Sequence, residues 1–458
     1  MKTNKALKNP GYPCLLLLCL ASSALAATDP DWLRVSGEFR ARYESLEGQF
    51  RAGRSGSDQA LFLRTLLHLE AEKDGYAAGV ELQDSRSYWT DSGSAISSSH
   101  VNPIDFLQAY VRVPVRGLLD TYDGDLTLGR QTVSIGSKRQ IERVSYANVI
   151  RSYTGAHLSL KNGDGDELHA VAVFPVERLS RERDDVENNT PVFDEEQFER
   201  FFWGLHYRES DAFPEILPEL WAEAFVYGLH ERDAFGGQTP NRNYLTPGFR
   251  FYRGSFPGQW NCDIEGALRF GSRRSSRVPD DTEDLDVFAT QLLVRIGYTF
   301  DHKWEPNLAF QYYWASGDED PSDGNYGQYE RLFGSRRTDL NNTSLHGPLT
   351  PANLSAVGGR FSMRPTERST ARLTYSAAYL ASDTDWFVIG RQRDPEGKSG
   401  SFIGHVIDSR YTYEIFPKEL TLELGASAFL HGGFTQDNPL APQADETYFG
   451  YSQLTYKF

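Results

Sequence analysis

Of the 47 cationic residues in this 458-residue sequence, ten are Lys and the rest are Arg. Arg34, Arg40, Arg42, Arg64, Arg112, Arg269, Arg295 and Arg372 each sit in an alternating stretch, on the side away from the apolar residues. A guanidinium stays charged at any relevant pH and offers a carboxylate two parallel donors. A wall of them in a narrow, low-dielectric passage attracts anions and raises their local concentration. Carboxylates lie in the same pattern at Glu38, Glu44, Glu70, Glu81 and Glu265. For any single arginine a wall-stiffening ion pair is therefore the plainer reading. For the set, anion preference is the better one.

Other chemistry is thinly supplied. The ten His form no His-Glu-x-x-His and no Cys-His cluster, which argues against zinc. There is no Gly-x-Ser-x-Gly and no phosphate-cradling glycine loop, so nothing nominates a nucleophile and no enzyme is expected. Asp318, Asp320 and Asp323 with Gly324 approximate a calcium loop, but no glutamate stands at its bidentate end. No cofactor follows from these residues.

The elements that must carry the arginines alternate with a period of two. Leu33, Val35, Gly37, Phe39, Ala41 and Tyr43 share one face; Arg34, Ser36, Glu38, Arg40, Arg42 and Glu44 share the other. The pattern returns at 260–270 and 420–430 and predicts strands rather than helices. Strands of soluble sandwiches are typically five or six residues long. Runs of roughly 10–14, polar on one face and apolar with aromatic ends on the other, suit a lipid-embedded barrel. Such a barrel satisfies its backbone between strands and has no open edge.

Short turns are expected near 73–75, 115–124, 162–166, 210–217, 256–259, 300–305, 365–369 and 413–418. Long polar loops are expected near 46–59, 87–104, 136–152, 176–197, 231–245, 272–284, 317–351, 382–401 and 432–444. The two kinds alternate, starting and ending with a long one. The fold class is thus all-β: a transmembrane antiparallel β-barrel of about 18 strands, with short periplasmic turns and long extracellular loops. A channel of that width holds water, so its inward residues meet the solute. Trp260, Trp304, Trp314, Tyr448 and Tyr456 read as interface girdles.

The amino terminus sets the compartment. Lys2, Lys5 and Lys8 precede an apolar run over 14–26 that ends Ala24-Leu25-Ala26. At about 13 residues it is too short to span a bilayer, so residues 1–26 are expected to be a signal peptide, leaving 27–458 as one barrel. The formal charge of −16 argues against a nucleic-acid partner. One cysteine, Cys262, remains after cleavage, so no intrachain disulfide is expected.

The stretch 126–155 holds Gly129, Arg130, Gln131, Gly136, Arg139, Arg143, Asn148 and Arg151. It resembles the alginate-export family of outer-membrane porins, in which a strand ending Gly-Arg-Gln runs into a basic, inward-folded loop. A second match lies in 333–354, with Phe-Gly-Ser-Arg-Arg, His-Gly-Pro-Leu and Asn-Leu before a strand. The resemblance implies an 18-stranded monomer in the bacterial outer membrane with an electropositive constriction that passes an acidic polysaccharide. By motif position it makes Arg130, Gln131, Arg139, Arg143 and Arg151 candidate pore residues. Arg64 and Arg295 join them from the alternation. The final strand, closing on Phe458, resembles the signal read by the barrel-assembly machinery; lipid and lipopolysaccharide are the other expected partners.

Three further readings follow from these residues. Alternation from Leu126 and Leu128 places Arg130 on the lipid face unless Gly129 forms a bulge or the strand ends there. The acidic loops 280–286 and 317–324 would repel a uniform polyanion, leaving the solute either an acidic saccharide such as alginate or another carboxylated molecule. A general diffusion porin, or a plugged barrel whose loop 317–351 binds a partner, would carry the same strand plan.

Overall fold

A computed structural model of the chain describes residues 30–233, 238–278 and 280–458; the expected signal peptide lies outside these. The first six wall strands are β1 (Leu33–Glu47), β2 (Asp58–Lys73), β3 (Tyr76–Tyr88), β4 (Asn102–Leu118), β5 (Tyr122–Gln131) and β6 (Tyr153–Lys161). The next six are β7 (Glu167–Glu177), β8 (Arg200–Glu209), β9 (Trp221–Glu231), β10 (Asn243–Arg253), β11 (Gln259–Arg274) and β12 (Asp284–Thr299). The last six are β13 (Asn307–Ala315), β14 (Leu354–Thr366), β15 (Ser369–Tyr379), β16 (Phe402–Phe416), β17 (Leu420–His431) and β18 (Glu446–Lys457). Each pairs antiparallel with its chain neighbours. β1 closes on β18 in a register running from Glu38↔Lys457 to Glu47↔Tyr448. Two-residue strands at Glu195–Glu196 and Asn325–Tyr326 and short helices at Arg183–Asn188 and Gly433–Asp437 lie in the long loops. The wall is an eighteen-stranded closed barrel among the described residues, as the alternating turns predict.

Hairpin chemistry explains the short end. Between β2 and β3 only Asp74 and Gly75 intervene, both at positive φ (+55° and +86°), the conformation a two-residue hairpin turn demands. Outward positions carry exposed apolar side chains such as Leu69, Val111, Leu205, Phe249, Phe310, Leu373 and Leu454. Trp260, Trp304, Tyr448 and Tyr456 are exposed too; Trp314 is partly buried and donates Nε1–H to Thr290 Oγ1 at 3.1 Å.

The core sits inside the barrel, toward the long-loop end. Leu46, Phe50, Phe62, Tyr313, Tyr329, Leu340, Leu345, Leu349, Phe387, Phe429 and Phe449 form one buried cluster. It joins wall strands to loop residues 329–349, so part of the lumen is packed like a protein interior. A second cluster unites Val133, Ile135 and Ile141 with Tyr153, Phe202 and Phe333. Two long connections, 132–152 and 316–353, have folded inward to bury their apolar side chains.

Candidate functional site

Three arginines of β1 and β2 hold the first inward loop. Arg40 Nη1 donates to the carbonyls of Ser145 (3.1 Å) and Tyr146 (3.0 Å); its Nη2 donates to Ala147 O and Asn148 Oδ1, both at 3.0 Å. Arg64 Nη1 donates to Ser145 O at 2.8 Å and Ala147 O at 2.6 Å, and the same guanidinium pairs with Glu38. Arg42 Nη1 reaches Tyr146 O at 2.7 Å. These side chains are almost fully buried. The inward arginines of this sector therefore bind main-chain carbonyls of the protein itself, and Arg64 meets no open lumen.

The second loop is clasped to the first. Glu142 N–H donates to Phe333 O at 3.2 Å, and Ser335 N–H to Lys138 O at 2.9 Å. Gly334 sits so close to Arg139 that a Cβ would lie 1.7 Å from the Arg139 carbonyl oxygen, which requires glycine. Arg139 is enclosed by Asp263 (2.6 Å), Glu265 (2.7 Å) and Asp339 (2.8 Å). Arg295 shares two of these, reaching Asp339 at 2.6 Å and Asp263 at 3.3 Å. Arg143 pairs with Glu81 at 2.8 Å. For these three the ion-pair reading describes the geometry, and their charge is spent fastening loops to the wall.

Arg130 has a different setting. The register from Leu128↔Val111 through Gly129↔Tyr110 to Arg130↔Ala109 is continuous, so no bulge interrupts it, and β5 ends one residue later. Arg130 thus stays on the face of Ala109 and Thr154, at the strand end. Its guanidinium lies 3.8–4.0 Å from Asp105, Asp194 and Glu196, which offset its charge. Gln131 is buried and donates Nε2–H to Thr127 O (3.1 Å) and Gly155 O (3.2 Å), tying off the strand end.

Between the two loops lies a cavity of about 160 Å³. Its lining includes Arg151, Arg178, Arg331, Arg336 and Arg337, with Ser99, His100, Asn148, Ser335 and Ser344, and contains no Asp or Glu. Of the seven sequence candidates, Arg151 alone lines it. Arg337 is held by Glu423 (2.5 Å) and Tyr451 OH (2.7 Å), with its guanidinium 3.5 Å above the Tyr146 ring. Among the described residues Arg331 and Arg336 donate to loop carbonyls, those of Gly334 for the first and of Gly347 and Leu349 for the second. Among the described residues none of Arg151, Arg178, Arg331 and Arg336 meets a carboxylate within ion-pair distance. Burial, then repulsion from Arg151, pushes both Arg178 and Arg331 down to about 10. Burial and the neighbouring Arg331 lower Arg336 further. A cluster of guanidiniums, four of them without a carboxylate in ion-pair distance among the described residues, favours an anionic occupant.

Toward the short-turn end a wider cavity of about 430 Å³ opens beside Arg364, Arg372 and Arg410, with Glu305 and Glu423. Arg372 and Arg360 donate to Thr338 O (3.4 and 2.7 Å), and Arg410 to Asn342 Oδ1 (3.0 Å). A row of guanidiniums on β14–β16 thus lies between the inward loop and the short-turn end. Sequence reasoning placed Arg372 there but passed over Arg360 and Arg410, although both alternate with apolar residues in the same way. It also passed over Arg178 and Arg331. Arg331, Arg336 and Arg337 were marked by a local excess of positive charge within an otherwise acidic loop.

A family model described as alginate export matches residues 31–449. Comparison with curated proteins finds no match. Solved structures share the fold at low identity. OccK9 (OpdG) of Pseudomonas aeruginosa is 13% identical with a TM-score of 0.60, covering 93% of this chain and 98% of that one. A BenF-like porin from Pseudomonas fluorescens Pf-5 is 11% identical with a TM-score of 0.60, covering 93% and 99%. OccK2 (OpdF) of Pseudomonas aeruginosa, solved in complex with glucuronate, is 12% identical with a TM-score of 0.56, covering 93% and 96%.

Proposed function

The chain belongs to the alginate-export family of bacterial outer-membrane porins, and on that premise we propose that it passes small carboxylated solutes, acidic saccharides among them, through the arginine-lined cavity. The observation that carries this reading is the lining itself, five arginines and no carboxylate. A carboxylate entering there replaces its hydration with bidentate donors and relieves the mutual repulsion of the guanidiniums. The glucuronate complex of OccK2, a barrel of the same fold, is in keeping with such a solute.

Size favours small molecules. At about 160 Å³ the cavity lies below the roughly 300–1,000 Å³ of drug-sized sites. A polyuronate such as alginate would pass only after loops 132–152 and 316–353 withdrew. In this reading Arg151 contacts the solute. Arg64, Arg139, Arg143 and Arg295 set the position of the loops, while Arg130 and Gln131 fix the strand end from which the first loop departs. Residues 1–26 would direct the chain to the membrane and be removed after Ala26.

The test is the reversal potential of the purified barrel in a planar bilayer under a salt gradient. Anion selectivity that falls in R331A and R336A supports the reading; cation selectivity in the unaltered protein sinks it. The apolar core formed by loop 329–349 favours a second reading, a barrel plugged at rest. Liposome swelling separates the two, since a plugged barrel admits no neutral sugar of any size.

A further inference from the structure

We propose that His100 is a specificity-determining residue of this pore: its Nε2–H donates to a neutral oxygen of the solute while the arginines hold the carboxylate, so that the preferred solute is a hydroxylated carboxylate. The inference rests on the reading of the cavity as an anion path.

The tautomer follows from the neighbours of the ring. His100 Nδ1 is approached by the main-chain N–H of Ser97 (3.2 Å), Ser97 Oγ (3.3 Å) and Ser99 Oγ (3.1 Å). A backbone amide can only donate, so Nδ1 presents a lone pair. In a neutral imidazole the other nitrogen then carries the proton. The ring is fixed in place by stacking on Phe62 at 5.3 Å between centroids, and its own carbonyl accepts Asn148 Nδ2–H at 2.7 Å. Loop 89–101 is thereby joined to loop 132–152 at the cavity wall.

His100 Nε2 makes no hydrogen bond among the described residues, and the residue lines the cavity. Burial, followed by the charges of Arg42, Arg178 and Arg51, lowers its pKa to about 3, so the ring is uncharged at neutral pH. It is thus a donor without charge in a lining dominated by cations. Cyclohexanecarboxylate or a simple fatty acid satisfies the arginines and leaves this N–H to water, so it gains nothing from the ring. A sugar acid presents a hydroxyl or ring oxygen to it. The hydroxyls of Ser99, Ser335 and Ser344 extend the same preference.

Glucuronate and cyclohexanecarboxylate make the decisive pair of probes, since both carry one carboxylate on a six-membered ring and only the first has hydroxyls. Each is scored by its block of chloride current through the full-length barrel in a planar bilayer. The unaltered protein is expected to bind glucuronate more tightly. H100F should weaken glucuronate roughly five- to tenfold, the worth of one hydrogen bond, and change cyclohexanecarboxylate less than about twofold. H100Q, which keeps a donor, should retain part of the preference. Equal loss for both probes, no loss for either, or a preference for cyclohexanecarboxylate in the unaltered protein overturns the proposal. If H100F does not fold, H100Q and the wild-type preference still decide it. Chloride over potassium selectivity is read in the same bilayers: its absence defeats the anion path itself, whereas selectivity without discrimination between the probes defeats only the role of His100.

Discussion

Arg372 and Arg410 stand directly opposite each other on β15 and β16, and among the described residues neither has a carboxylate within ion-pair distance. Like charges in that relation destabilise a sheet by roughly 0.2–1 kcal/mol. The pair persists because each guanidinium finds an oxygen of the inward loop, at Thr338 and Asn342.

Replacing one of the two with a neutral residue of similar length should relieve the repulsion and cost selectivity. R372Q is expected to raise the stability of the detergent-solubilised barrel by up to about 1 kcal/mol. The same variant should shift the reversal potential toward zero. A more stable variant with unchanged selectivity would remove this row from the ion path.

Arg139 predicts the opposite balance. It is the shared counter-ion of Asp263, Glu265 and Asp339, all buried. Arg250 and Arg295 still pair with Asp263 and Arg295 with Asp339, so R139M chiefly strips buried Glu265 of its close partner, a loss of about 3–5 kcal/mol for breaking a buried pair. The wall strands are held by their ladders, so the loss should fall on loop docking. Expected results are larger, noisier conductance and rapid trypsin cleavage after Arg336 or Arg337, with the barrel fragments still associated.

Arg130 and Arg151 come from one motif but should behave differently. Three carboxylates surround Arg130, whereas Arg151 lines the cavity, donates to Leu332 O (3.4 Å) and lies over the Phe333 ring, with no carboxylate in ion-pair distance among the described residues. R151A should lower anion selectivity measurably, and R130A should leave it unchanged. A loss in R130A equal to that in R151A would contradict this assignment.

Acid should weaken the loop assembly through His100. Its folded pKa of about 3 lies below the usual 6.5, so the unfolded chain binds a proton that the folded one refuses. The stability owed to the neutral ring is complete above about pH 6.5 and is lost as pH falls toward 3, by up to about 1.4 kcal/mol per pH unit. Asp194, raised to about 7 by burial against a neighbouring Asp105, works in the other direction, its share being lost as pH rises. Tm measured from pH 7 to pH 4 should therefore fall more steeply for the unaltered protein than for H100Q, with the Asp194 contribution common to both.

Strand alternation made the wall legible from residues alone, because a lipid-facing strand must alternate whatever its tertiary partners. Turn positions followed for the same reason; even Asp74-Gly75 announces a hairpin. The candidate site was legible only as charge. That Arg64 would clasp Ser145 and Ala147, or that Arg139 would meet Asp339 two hundred positions away, depends on two loops folding inward to bury Ile141, Phe333 and Leu345. No local periodicity encodes that collapse. Arg331 was overlooked because a loop residue has no alternation to place it.

The junction of β1 with β18 carries one more implication. Gly37 and Phe458 exchange main-chain hydrogen bonds at 3.0 and 3.2 Å, joining residues at nearly opposite ends of the sequence. β1 is also the strand whose Arg40 and Arg42 grip the loop at Ser145–Asn148. Contacts of such sequence separation form late, since their loop-closure entropy is met last. The final event of assembly would thus complete the wall, and a barrel halted before sealing would be leaky as well as open-edged.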